Sequence, residues 1–246
     1  MALEQIAALG SKLLSFLALF ADCFGRCEPR KLLQVYVKGQ LANVQRKSAE
    51  AIALKFKTAP RTLQRFLESI KWDEEKLRDR CQQIVAKDHA HPEAIGCLDE
   101  SGVSKSGPET VGAARQYNGS KGKVDNCVVG VHLSYSAPGF QVLLDSTVYL
   151  PEDWANDPER RKKNYIPDEI QFRTKPRIGL DQIDRALSNG IRVSAWTVDE
   201  FYGRDRKFLD GLESRKQVLV AEIPCDSHTS WPTACRANGI RSRAST

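Results

Sequence analysis

Two short apolar runs in this chain end in the same acidic pair. GCLDE closes on Asp99 and Glu100, and WTVDE on Asp199 and Glu200, one hundred positions later. A short apolar run that stops at carboxylates reads as a buried strand emerging at the edge of a sheet. If the two strands are parallel neighbours, about 4.8 Å apart, Asp99 and Asp199 lie side by side and can share divalent cations. Two such ions about 4 Å apart activate an attacking oxygen and stabilise a leaving one in phosphodiester cleavage. An Asp-Glu pair after a strand also serves as a solvated turn or a helix N-cap, so spacing alone leaves both readings open.

Other chemistries find less support. There is no G-x-S-x-G elbow and no Cys-His constellation, which argues against a hydrolase with a protein nucleophile. Gly119 and Gly122 read as turn residues, since no phosphate-binding glycine string follows a strand. His89 and His91 fall in a linker with no cysteine nearby, and Trp154 and Trp196 read as core aromatics. Tyr202, just past Asp199, either braces the site or stacks on a base. The seven cysteines are scattered and lack a C-x-x-C, so they read as reduced structural thiols, neither a disulfide framework nor a zinc ribbon.

The elements that must position the acids change character along the chain. Residues 1–88 read as helical, with Leu63, Phe66, Leu67 and Ile70 forming an i, i+3, i+4, i+7 stripe. From about Pro92 the period shortens. Residues 116–136 place Asn118-Gly119 and Lys121-Gly122 before an alternating strand, as hairpins do, and residues 140–151 read as the next strand. A helix over 176–190 ending at Gly190 then separates the WTVDE strand from what precedes it. Another helix over 204–213 leads to a last strand over 217–224. Hairpins first and a β-α-β-α-β rhythm later require a mixed α/β sheet flanked by helices. The chain's 246 residues, 41% of them hydrophobic and 28% charged, are enough for such a core and exclude disorder or fibrous repeats.

Charge placement points to a polyanion. The net charge is +6, but residues 30–65 alone hold nine basic side chains against one acid, Glu50. Each Lys or Arg near a phosphate releases a condensed counterion, so this cluster is the footprint of nucleic-acid binding. It coincides with residues 47–69, which pair an Ala-rich helix with a second one across a short turn, Pro60 suiting the first turn of the latter. That is a helix-turn-helix layout offering Arg61, Gln64 and Arg65 to a DNA groove, with Arg46 and Lys47 beside it. A helical hairpin with solvated basic residues has the same pattern. Lys105, Arg115, Lys121, Lys123 and Lys175 are further candidates for phosphates near the acidic edge. The longest apolar stretch, Leu13 to Ala21, is well short of the roughly 20 residues a membrane span needs. It reads as a buried helix of a cytoplasmic protein.

Five segments carry a resemblance: CLDESGVSKSG (97–107), ARQYNGSKGKVDNC (114–127), VYLPEDWANDPERRKK (148–163), FRTKP (172–176) and WTVDEFYGRD (196–205). Together they resemble the successive signatures of a bacterial insertion-sequence DDE transposase, and residues 41–77 are similar to the helical DNA-binding region preceding its catalytic domain. The resemblance runs from about residue 25 to 225 in the family's order. It implies an RNase H-like fold, a five-stranded mixed sheet with first and fourth strands side by side, preceded by an all-helical N-terminal domain. It further implies that Asp99 and Asp199 bind Mg2+ or Mn2+ and promote hydrolysis at transposon ends, followed by strand transfer into target DNA. The expected partners are double-stranded DNA and further copies of the chain, without a membrane, in the bacterial cytoplasm at the nucleoid.

The departure is at the end. The family's third acid, a glutamate, belongs on a helix after the fifth strand, and no residue here matches it; Glu200, Glu213 and Glu222 precede that point, and Asp226 follows the strand immediately. Residues 227–246 are Ser/Thr/Arg-rich and read as an irregular or disordered tail. The expectation is therefore a helical DNA-binding region over 1–90, an incomplete catalytic domain over 91–226, and a C-terminally truncated enzyme, weak or inactive. The alternatives are a non-catalytic DNA-binding remnant that inhibits full-length relatives, and a stand-alone nuclease, which would need a completed acidic triad.

Overall fold

A computed structural model describes residues 3–222, with side chains from residue 9 onward. The tail expected over 227–246 lies outside the described residues, as do Asp226 and the end of the last predicted strand.

Five helices come first: α1 (Leu3–Ala18), α2 (Cys27–Leu41), α3 (Ala49–Lys55), α4 (Pro60–Glu68) and α5 (Glu74–Asp88). Local chemistry sets their ends. The Ser48 side chain accepts the Ala51 N–H to cap α3, Asp73 does the same for α5 through Lys76 N–H, and Pro60 opens α4. Between α3 and α4 the chain reverses through Lys57 at φ 52°, with the Thr58 N–H donating to Ala53 O at 2.8 Å. Phe20, Phe24, Leu32, Ile52, Leu63 and Phe66 form the core of this region. The rings of Phe24, Phe66 and Trp72 stack with centroids 5.7–6.3 Å apart. At Gly39 a Cβ would come within 2.2 Å of Ile52, so only glycine lets α2 and α3 approach this closely. The predicted apolar stripe is shorter than the sequence suggests. Leu63 and Phe66 are buried, but Leu67 is 47% exposed and Ile70 lies beyond the helix. The amides of Ser69 and Ile70 both donate to Arg65 O, which ends α4 before the stripe is complete.

The remaining elements are β1 (Ile95–Ser104), β2 (Ala114–Asn118), β3 (Lys123–Ala137), β4 (Phe140–Val148), α6 (Glu152–Ala155), α7 (Pro158–Lys163), α8 (Lys175–Ser188), β5 (Ala195–Val198), α9 (Glu200–Gly203), α10 (Arg206–Ser214) and β6 (Leu219–Ala221). The strand order is β2-β3-β1-β5-β6, with β4 on β3. The β2–β3 pair is antiparallel, turned by Gly122 at φ 62°, and β1–β5 and β5–β6 are parallel. The mixed sheet flanked by helices is therefore as expected, with six strands instead of five. Residues 114–118 pair with β3 as a strand of their own, so the parallel neighbour of β1 is the fifth strand in chain order.

The described chain forms two compact units that do not follow chain order: residues 1–94, 132–147 and 181–194, and residues 95–131, 148–180 and 195 onward. In the first, α5 is tied to later segments by polar contacts. Gln82, fully buried, donates to Leu144 O at 3.1 Å and accepts from Asn189 at 2.9 Å. Asp145, 3% exposed, lies between Arg78 at 3.4 Å and Arg185 at 3.5 Å, and burial is the main cause of its raised pKa. His89 stacks on Phe140 and accepts the Tyr135 hydroxyl at its carbonyl, which gives the histidine linker a packing role. In the second unit the core is Leu98, Trp196, Val198, Tyr202, Phe208 and Leu212. Glycine again permits close approach there, with Gly96 under the Trp196 ring and Gly179 against Leu98.

Candidate acidic site and basic helix pair

The acidic site is built by strand register. Ile95 faces Ala195, Gly96 faces Trp196, Cys97 faces Thr197 and Leu98 faces Val198 in the parallel β1–β5 pair. Asp99 and Asp199 are the residues that directly follow the last of these pairs, and both are exposed. Strand alternation places Asp99 on the face opposite Leu98, which is buried. The two runs do not end alike. Asp199 leaves β5 and caps α9, its Oδ1 accepting from Phe201 N–H at 3.1 Å and Tyr202 N–H at 3.3 Å. Asp99 is within β1, which continues to Ser104 because its other edge still has β3, Lys105 N–H donating to Asn126 O at 2.8 Å. Asp99 thus marks the loss of the parallel partner, not a strand end. Its Oδ1 accepts from Glu100 N–H at 2.7 Å.

Glu100 points the other way. The alternation that exposes Asp99 puts Glu100 on the side of Leu98, where its carboxylate pairs with Lys175 at the start of α8. Both side chains are largely buried, and the Lys175 ammonium also lies 5.4 Å from the ring centroids of Tyr149 and Phe201. Glu200, by contrast, pairs with Arg204 one helical turn on, at the surface. Tyr202 is fully buried, and its hydroxyl lies close to Glu100 without good hydrogen-bond geometry. Burial first, then the charges of Glu100, Asp199 and Asp99, push its titration far above the ordinary tyrosine range. Among the described residues no set of three His, Cys, Asp or Glu side chains is arranged to hold a metal ion.

The basic helix pair, α3 and α4, and the residues just before it carry their cations unevenly. Arg46 and Arg65 are exposed, and among the described residues neither has an ion-pair partner. Gln64 is half-buried on α4. Arg61 pairs with Glu68 at 3.0 Å across two turns of α4, an exposed contact of little energetic weight. Lys47 is engaged differently, its ammonium donating to Ala42 O and, at 3.4 Å, to Gly39 O at the end of α2.

Residues 19–238 match the profile of the family described as DDE superfamily endonuclease. The chain belongs to that family. It is also 28% identical, over 162 residues, to a probable transposase for insertion sequence element IS701 from Microchaete diplosiphon. That alignment covers 65% of this chain and 40% of the relative, so the chain spans less than half the length of the curated transposase it matches. DDE superfamily endonucleases generally depend on divalent metal ions.

Within this DDE chain the remaining sequence candidates are spread over the second unit. Lys105 has its backbone fixed by Asn126, whose side chain donates to Lys105 O at 2.8 Å, and Lys123 is exposed at the start of β3. Lys121 pairs with Asp125 at 2.8 Å, and Lys175 pairs with Glu100. What sequence reasoning missed is the Glu100–Lys175 pair. The signal was present in the two-residue period of β1: an acid on the face of a buried leucine needs a cationic partner. The described helices include none long and apolar enough to cross a membrane.

Proposed function

We propose that this DDE chain acts on double-stranded DNA as an insertion-sequence transposase, with Asp99 and Asp199 as ligands of Mg2+ or Mn2+ in strand cleavage and transfer at transposon ends. The observation that carries the reading is the parallel β1–β5 register, whose last pair, Leu98 and Val198, directly precedes Asp99 and Asp199. The donor set suits a hard cation. Each aspartate has one oxygen held by backbone N–H groups, and among the described residues neither carboxylate carries an ion pair. Two carboxylates suffice for an ion that keeps several of its waters. When bound, the metal supplies Lewis-acid stabilisation and an activated oxygen nucleophile. The chain's own part is to fix the carboxylates by register and cap, while Lys175 neutralises Glu100.

The helix pair supports the DNA side of the reading, with Arg46, Arg61, Gln64 and Arg65 facing the duplex and Lys47 chiefly closing α2. Lys105 and Lys123 would meet phosphates nearer the cleavage site. With two acids and no third ligand among the described residues, in-line geometry is loose and little or no cleavage is expected. A DNA-binding protein without nuclease activity, able to inhibit longer relatives through association, is the second reading, favoured by the lack of a three-acid set among the described residues.

Supercoiled plasmid incubated with the protein and Mg2+, Mn2+ or chelator, beside the Asp99→Ala/Asp199→Ala double variant, tests both. Metal-dependent nicking that the double variant loses supports the enzyme and means another carboxylate completes the site. Salt-sensitive DNA binding without nicking supports the binder. Nicking that survives in the double variant would overturn the assignment of the two aspartates.

A further inference from the structure

We infer that Tyr202 is a positioning residue that braces the two acid-bearing strands, its hydroxyl donating to Glu100 so that Glu100 acts as a strut and not as a third metal ligand. The inference rests on the reading of Asp99 and Asp199 as a metal site and assigns a division of labour within it.

Tyr202 is engaged at both ends. Its backbone N–H donates to Asp199 Oδ1 at 3.3 Å, alongside that of Phe201, so it helps fix the aspartate that leaves β5. Its ring is fully buried, with the Phe208 centroid 5.4 Å away on one side and that of Phe201 at 5.2 Å on another. The hydroxyl at the far end has no well-formed hydrogen bond, although it is buried beside the Glu100 carboxylate. An unsatisfied buried hydroxyl is costly, and the acceptor within reach is a carboxylate on β1 next to Asp99. A small adjustment that completes this bond links β5, through Tyr202, to β1. The spacing of Asp99 and Asp199 is then set at two levels, by the β1–β5 ladder and by the brace above it.

The same geometry explains why Glu100 is no substitute for a third ligand. Lys175 already holds it and strand alternation turns it away from Asp99, and the bond inferred from the Tyr202 hydroxyl would take a further lone pair. A carboxylate with a cation and a phenol donor is stabilised where it stands. Positioning groups of this kind commonly change metal affinity 10–100-fold without touching the ion.

The test is Mn2+ binding to the full chain, followed by the electron paramagnetic resonance of free Mn2+, for the wild type and for Asp199→Asn, Tyr202→Phe and Glu100→Gln. Tyr202→Phe is expected to keep the thermal transition and to weaken Mn2+ binding by about tenfold. Glu100→Gln, which retains an acceptor for the hydroxyl, should weaken it less. The near-ultraviolet difference spectrum between wild type and Tyr202→Phe isolates one tyrosine, and its band should shift on Mn2+ addition. A wild type whose Mn2+ binding is absent, or unaffected by Asp199→Asn, overturns the metal reading and the brace with it. Binding lost in Asp199→Asn but unchanged in Tyr202→Phe overturns the brace alone. A loss in Glu100→Gln as large as in Asp199→Asn makes Glu100 a ligand and also overturns it. Should Tyr202→Phe not fold, the Glu100→Gln result still decides between strut and ligand.

Discussion

The strand pair β1–β5 and the helix pair α3–α4 place their functional candidates by different physics. In the sheet, backbone hydrogen bonds fix which residue stands beside which, and a slip of one position would turn every side chain to the other face. Asp99 and Asp199 directly follow the last pair of the same ladder, three steps on from Gly96 and Trp196. On the helices the candidates are surface groups on a three-helix core, and nothing in the ladder of α4 dictates what Arg61 or Arg65 touches. Arg61 finds Glu68, Lys47 closes α2, and Arg46 and Arg65 are left to solvent. Positional precision in the strand pair depends on core packing; in the helix pair, capacity to bind depends on charge that local contacts have not already engaged.

The largest effect expected from this contrast comes from removing the packing under the acids. Trp196 is fully buried against Gly96, and Trp196→Ala should cost about 3–5 kcal/mol, read as a lower urea midpoint. Metal binding and folding should fail together in that variant. Asp199→Asn separates them. Asparagine is as good an N-cap as aspartate, so α9 and the urea midpoint should be nearly unchanged. Mn2+ affinity should nonetheless fall by about a hundredfold, equivalent to about 2.8 kcal/mol. A large fall in stability with metal binding preserved would reverse the assignment and make Asp199 a capping residue only.

On the helix pair the expected changes are smaller and salt-dependent. Arg65→Ala should leave the melting temperature in place and reduce the slope of log K against log salt by about 0.9, the loss of one phosphate contact. Lys47→Ala should do the opposite, since its ammonium closes the end of α2. It should lower the melting temperature slightly through the lost contacts at the end of α2 while changing the salt slope less than Arg65→Ala does. Equal slopes for both variants would erase the distinction between a free cation and an engaged one. The measurement is fluorescence anisotropy with labelled duplex across a salt series.

Much of the fold was legible because period and turn chemistry are local. The alternation of β3 and its Gly122 turn, the helix closed by Gly190 and the Pro60 start of α4 all appear where composition puts them. The hundred-residue offset of the two acidic pairs became the register itself. Three features were not legible, each because it depends on partners distant in sequence. The continuation of β1 past Asp99 needs β3 as its edge. The Glu100–Lys175 pair joins positions 75 residues apart. The burial of Asp145 between Arg78 and Arg185 joins three segments that no short-range pattern connects. The apolar stripe of α4 failed for a smaller reason, a helix that stops two residues before Ile70.

The smallest predicted effect is a pH dependence in the second unit, on the β2–β3 hairpin. Asp125 accepts from Lys121 at 2.8 Å and from the Ser104 hydroxyl at 2.6 Å, and those bonds, the lysine's first, lower its pKa from 3.8 to about 2. A carboxyl whose folded pKa lies below its unfolded value binds fewer protons in the folded state between the two. Its contribution to stability is complete above about pH 4 and is lost as the pH falls toward 2. Asp125→Asn keeps an acceptor for both donors but has no proton to gain, so its stability should decline less steeply over that window. Urea midpoints taken at half-unit steps from pH 5 to about 2 should therefore converge for the two proteins at the acid end. Parallel curves would mean that Lys121 and Ser104 hold the carboxylate no better than water does. The hairpin's polar cluster would then resemble the loosely engaged cations of the helix pair more than the register-fixed acids of β1 and β5.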